Sequence, residues 1–191
     1  MLAKLISRTR RNHGLEHATI HVLSEKHPNR FSAQGNSTHN GFFLNIYGNL
    51  SDQEVSEAVH EAHKRMNAGE ERLAVHPNCG TVLLTTAAMA TLSSQAAFGF
   101  EMRRRGAREL TPTILFNALP TAVLAAAVAL IVSRPLGLYL QERYTTESDL
   151  GNLQVTGVNR IAPSPVTRIF QLLLGQSKSQ PVRAYRVDTK G

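Results

Sequence analysis

Apolar and polar positions follow several different periods along this chain. From about Thr9 to Lys26, Leu15, Thr19, Val22 and Leu23 form one apolar edge at helical spacing. Pro28 closes that pattern, because proline pushes the residue before it out of the helical region. Gly14 inside this helix costs about 1 kcal/mol relative to alanine, and close approach of another backbone would account for it. The run "FFLNIY" from Phe42 to Tyr47 has the length and composition of a strand and follows the turn residues Asn40 and Gly41. Arg30 to about Asn36 forms a weaker strand pattern. "SDQE" from Ser51 to Glu54 is a capping box and predicts a helix running to about Ala68, with Gly69 at its C-terminal end. "RLAVHPNCGT" predicts a short strand and then a tight loop carrying Cys79. The order helix, strand, strand, helix, strand predicts an α+β domain over residues 1–80, a small antiparallel sheet with helices on one face.

The pattern then changes. Thr81 to Phe100 contains no charged residue, "EMRRRGARE" follows, and Leu110 to Ser133 is again uncharged. The second stretch has the length and apolarity of a membrane span, and Pro120 does not exclude one. Thr, Ser and Gln dilute the first stretch, which reads either as a further span over 81–101 or as a helix buried against the sheet. Residues 81–134 therefore hold one or two transmembrane helices, the principal one at 110–133. Arg103, Arg104, Arg105 and Arg108 favour the cytoplasmic side. Two spans would then put the N-terminal domain on the other side, and a single span would put the C-terminus there. The N-terminal "MLAKLISRTRRN" lacks the apolar run of a signal peptide. Residues 135–191 read as a tail with strand-like runs "NLQVTGVNRI" and "PVRAYRVDT" and a short amphipathic helix around "VTRIFQLLLG".

Charge adds one exclusion. The formal net charge is +7, but residues 1–80 carry nine Lys/Arg against eight Asp/Glu, so the surplus lies further on. Those positive residues flank apolar segments and form no stripe interleaved with aromatics, which argues against a nucleic-acid partner. All eight histidines and the only cysteine fall before residue 80. A single cysteine cannot form an intramolecular disulfide.

The candidate chemistry lies in "NHGLEHATIH". His13 and His17 are four residues apart and share one helix face, with Glu16 beside them. This is H-x-x-E-H, in which two imidazoles bind a metal and the glutamate handles the proton of an activated water. The plainer alternative is a solvated polar face. His21 continues the stripe as an alternative ligand or a supporting residue. His76 precedes Pro77 in the cysteine loop and could orient it. His60 and His63, with Glu57 and Glu61, form a polar face on the second helix.

"HGLEH" on a helix, "THNGFF" opening a strand, a helix from Ser51 and "NCGT" about sixty residues after the helix motif occur in this order. The combination resembles S-ribosylhomocysteine lyase, with its H-T-L-E-H helix, C-R-T-G-F-Y strand and Q-C-G-T loop, over residues 10–82. More distantly it is similar to the pitrilysin-type metallopeptidases, which share H-x-x-E-H. The whole chain also looks like a member of an uncharacterised family of small bacterial membrane proteins. The lyase resemblance implies His13, His17 and Cys79 as ligands of one zinc or iron ion, with Glu16 beside a bound water. Where the lyase carries an acid–base cysteine, this chain has Thr38, whose hydroxyl does not ionise near neutral pH, and His39 next to it is a substitute acid or base.

The resulting expectation is a metalloprotein anchored in the bacterial inner membrane, a metal-dependent hydrolase acting on a small-molecule or peptide substrate. Its candidate catalytic residues are Glu16 and, with weaker support, Thr38 and His39. A homodimer is a further expected partner relationship. The competing class is a non-catalytic membrane-bound metal-binding or assembly protein. A third reading has no metal and only membrane-surface contact through the basic tail.

Overall fold

A computed structural model describes residues 1–165, 167 and 182–191. The chain divides into two compact units, Met1–His76 with Glu142–Gly191, and Pro77–Gln141.

The first unit is the α+β domain. Helix α1 runs Leu2–Lys26, strands β1 and β2 Phe31–Thr38 and Gly41–Gly48, and helix α2 Asp52–Asn67. The capping box forms as the sequence predicts: Glu54 N–H donates to Ser51 Oγ at 3.2 Å, and Ser51 N–H donates to a Glu54 carboxylate oxygen at 2.6 Å. Leu15, Thr19, Val22 and Leu23 are all buried, which bears out the apolar edge of α1. Gly14 also has its explanation, since a side chain there would run into the Glu147 carbonyl.

One predicted element differs. The residues Glu71–Ala74 form a 3₁₀ turn and not a strand. Leu73 and Ala74 are buried beneath α1, and so short an apolar run satisfies a turn as well as a strand. The sheet is completed from residues read as a tail. Strands β3, Gln154–Ile161, and β4, Val182–Lys190, join it in the order β1-β2-β4-β3, every pair antiparallel. The amphipathic helix expected around residues 166–175 lies, apart from Thr167, outside the described residues.

Register sets the two faces of the sheet. Phe42 pairs with Val187 and Leu44 with Tyr185, and these four side chains are fully buried against Leu15, Leu23, Val55 and Val59 from the helices. Phe43 points the other way, under the Arg186 guanidinium at 4.4 Å from its ring centre. Gly35 pairs with Leu44, and Ser37 with Phe42. Pleat alternation puts both on the helix-facing side.

The second unit is a helical hairpin, α3 at Gly80–Arg104 and α4 at Pro112–Leu140, followed by a π-helical turn Gln141–Thr145. Both helices are long and apolar enough to cross a membrane. A side chain on Gly137 would meet the Val82 backbone, and Thr86 and Ser133 hydroxyls bond at 2.9 Å, so the helices run antiparallel. What the hairpin buries is mostly small (Ala97, Ala118, Ala122, Ala129, Ser133 and Gly137), with Val82, Ile114 and Glu101 besides. What it exposes is large and apolar, including Leu84, Phe100, Phe116, Leu124 and Ile131.

Candidate metal centre

The histidine stripe lies on the inner part of α1. Carbonyl groups of the first unit hold each of its three rings. His13 Nδ1 lies 2.8 Å from the Thr145 carbonyl, His17 Nδ1 lies 2.8 Å from that of Ala74, and His21 Nε2 lies 2.9 Å from that of Val75. A carbonyl can only accept, so in each case the named nitrogen carries the proton. A carbonyl on Nδ1 is the partner that orients the ring in many metal-ligating histidines, leaving Nε2 as the ligand atom. Local structure explains the partners. The 3₁₀ turn ends at Ala74 and leaves its last carbonyls without helical donors, and His17 and His21 supply the missing N–H groups.

The rings also gather. His13 and His17 centroids are 4.4 Å apart, His17 and His76 5.8 Å, and His21 and His76 5.0 Å. Burial, then the neighbouring His17 and His21, push His76 down to about 4, so it is neutral at physiological pH. His17 itself is fully enclosed.

Three residues beyond His76 comes Cys79, buried, in no disulfide, and the N-cap of α3. His13, His17 and Cys79 form a group whose ligand atoms all lie within 4.8 Å of one another, and such a group could hold a metal ion. A tetrahedral zinc site has ligand atoms about 3.3–3.8 Å apart, given metal–ligand bonds of 2.0–2.3 Å. Two imidazoles and one thiol are a donor set of the kind that suits zinc or ferrous iron.

Glu16 is 4% exposed, and one of its oxygens accepts from Ser37 Oγ at 2.6 Å. Its carboxylate lies directly over Gly35. The weaker catalytic candidates are in the β1–β2 turn: Thr38 Oγ donates to the Gly41 carbonyl at 3.0 Å, and His39 is exposed. On α2, His63 bonds the Leu153 carbonyl at 2.7 Å through Nε2, and His60 is exposed.

Sequence reasoning overlooked three supports. Asn12 is wholly buried and joins β1 to β4, its amide donating to the Thr38 carbonyl and its oxygen accepting from Thr189, both at 2.8 Å. Ser37 and Gly35 hold and accommodate Glu16. A glycine inside a strand pattern is the one signal that marked such a close approach.

The chain is similar to an uncharacterized protein of Picosynechococcus sp. (strain ATCC 27264 / PCC 7002 / PR-6), 34% identical over 149 residues. That match covers 72% of this chain and 65% of the relative, so the chain spans just under two thirds of the relative's length. No solved structure matches. These matches lend no support to the likeness to S-ribosylhomocysteine lyase or the pitrilysin-type peptidases. A family model covers residues 8–158, and the chain belongs to that family, described as a domain of unknown function, DUF6391.

Proposed function

We propose that this protein is a membrane-anchored metalloprotein in which His13, His17 and Cys79 hold zinc or iron and Glu16 serves a hydrolytic reaction. The observation that carries this reading is the convergence of three ligand atoms within 4.8 Å, with His13 and His17 each oriented by a carbonyl on Nδ1. A divalent ion held by His13, His17 and Cys79 would supply a Lewis acid for activating water. Glu16 would serve as the proton acceptor, its carboxylate steadied by the hydrogen bond that Ser37 donates to it. The same features underlie the likeness to the lyase and to the H-x-x-E-H peptidases, which this reading treats as a similarity of site chemistry.

Membrane anchoring is supported by the inverted pattern of the hairpin. Mostly small residues buried in the hairpin, with many Leu, Ile and Phe side chains outside, suit lipid as the surrounding medium. The sheet adds a constraint. Strands β1 and β2 precede the hairpin and β3 and β4 follow it, so both sets must lie on one side of any membrane. The sheet order thus supports crossing by both α3 and α4, or by neither, over a single span at 110–133.

The test is bound metal, measured by elemental mass spectrometry on tag-free protein in mild detergent, beside His17→Ala and Cys79→Ser. Near one equivalent of zinc or iron, lost in both variants, is expected. Folded wild type that takes up neither ion would overturn the reading. A non-catalytic metal carrier is the second reading, favoured by the burial of Glu16 against Ser37. Glu16→Gln separates the two: metal is retained in both, and a hydrolase loses about 10²–10⁴-fold in rate.

A further inference from the structure

We infer that the open edge of the sheet at β1 pairs antiparallel with β1 of a second copy of this chain, joining two four-stranded sheets into one. The whole surface belongs to the α+β unit, and the pairing requires no metal.

Strand β1 is an outer strand, with β2 on one side only. Which of its main-chain groups point outward follows from alternation. The Asn40 carbonyl accepts from Thr189 N–H at 3.1 Å, in step with the β2–β4 register. Residues of an antiparallel strand bond alternately to one neighbour and the other. Phe42, Leu44 and Ile46 therefore bond β4, while Phe43, Asn45 and Tyr47 bond Asn36, Gln34 and Ser32 of β1. That leaves the N–H and C=O groups of Phe31, Ala33, Gly35 and Ser37 directed at the open edge. Among the described residues no backbone group outside the strand takes them.

Native sheets blunt such edges with charges, proline or bulges. The other outer strand, β3, has a register shift between Val155 and Gly157 and carries Arg160. Strand β1, "FSAQGNST", has no charged residue and no proline, and all eight of its residues pair with β2 without a shift. Ser32, Gln34, Gly35 and Asn36 are exposed. This edge is built to be paired.

The strand's own pattern fits a second copy. A two-fold axis at Gln34 sets Phe31 opposite Ser37 of the second copy, and Ala33 opposite its Gly35. All four outward residues then meet outward residues, and each can exchange both main-chain bonds. On the face away from the helices Gln34 meets its own copy and Ser32 meets Asn36, so no like charges oppose one another. An axis at Gly35 would instead set two Glu16 carboxylates side by side, since each lies over its own Gly35. Two-fold pairing also closes, because it consumes the β1 edge of both copies.

The test uses the full chain in mild detergent, with protein mass read by light scattering after subtraction of the detergent. Wild type is expected at twice the 21.0 kDa chain mass. Gln34→Lys and Gln34→Glu, each alone, place like charges across the axis and are expected to be monomers. Mixed, they are expected to regain the dimer, a rescue that general misfolding does not give. In a Cys79→Ser background, Gln34→Cys should oxidise to a covalent dimer, and Asn36→Cys, whose copies lie several residues apart in this register, should not. Monomeric wild type overturns the inference, and so does a dimer that both charged variants leave intact. Slow amide exchange at Ala33, Gly35 and Ser37 in a monomer would give the edge to a different chain and overturn it as well.

Discussion

The carboxylate of Glu16, on α1, occupies the volume that a side chain at position 35 of β1 would fill. Strand β1 therefore carries a glycine where its pleat faces the helix, and two positions on it supplies Ser37 to hold the same carboxylate. Gly35→Ala forces a methyl group against Glu16. A loss of about 1–3 kcal/mol is expected from such overpacking, with metal content kept and any Glu16-dependent turnover reduced. Thermal melting and elemental analysis of the one variant check both parts. Unchanged melting and turnover would show that Glu16 has another place to go.

Asn12 should matter as much as a core hydrophobe. Its amide joins the end of β1 to the end of β4 beneath α1. Asn12→Ala leaves the Thr38 carbonyl and the Thr189 hydroxyl without that partner, for a loss of about 1–3 kcal/mol. Asn12→Asp is expected to be worse, because a buried carboxylate cannot donate to Thr38. Urea midpoints should rank wild type, then Thr189→Val, then Asn12→Ala, then Asn12→Asp.

Arg65 clasps α1 to the loop after α2 through Glu25 and Glu70. Its guanidinium holds both carboxyls below their ordinary value of 4.5. Groups with depressed native pKa values stabilise the fold above the unfolded value, and that contribution is lost as pH falls through the native ones. Wild type should therefore exceed Arg65→Met in stability at neutral pH, and the gap should close in acid. Both carboxylates are open to solvent, so high salt should shrink the gap as well. Urea titrations across pH, at two salt concentrations, read this directly. A gap that persists in acid would mean the arginine acts through packing.

Paired crossings have a labelling signature. Single cysteines replacing Glu57, Asn152 and Glu109, in a Cys79→Ser background, sample α2, the segment before β3 and the connection between α3 and α4. In sealed vesicles an impermeant maleimide should reach positions 57 and 152 from the same side and 109 from the other. Labelling of 57 and 152 from opposite sides would contradict the sheet order.

Elements fixed by local signals were legible in the sequence. The spacing of Leu15, Thr19, Val22 and Leu23 marked the buried edge of α1, Ser51 and Glu54 marked the start of α2, and "FFLNIY" marked β2. The H-x-x-E-H spacing placed His13 and His17 on one face for the same reason. Non-local relations were hidden. Nothing near Val182–Lys190 announces that it lies between β2 and β3, because strand pairing is decided by partners far away in the chain. The carbonyls of Ala74 and Thr145 that orient the histidines are backbone groups, and backbone groups leave no trace in residue identity. The stretch around Leu73 was misread because four residues cannot distinguish a strand from a turn.

The order of the strands sets a timetable for synthesis. β2 and β4 are neighbours in the sheet, yet residues 49–181 separate them, and the whole α3–α4 hairpin lies in that interval. At 5–20 residues per second the ribosome needs roughly 7–27 s to make them. Through that period Phe42, Leu44 and Ile46 wait without Tyr185 and Val187, and one edge of β2 stays open. Sheet closure comes after both apolar helices have left the ribosome, so the nascent chain must hand over its hairpin while its α+β unit is half built.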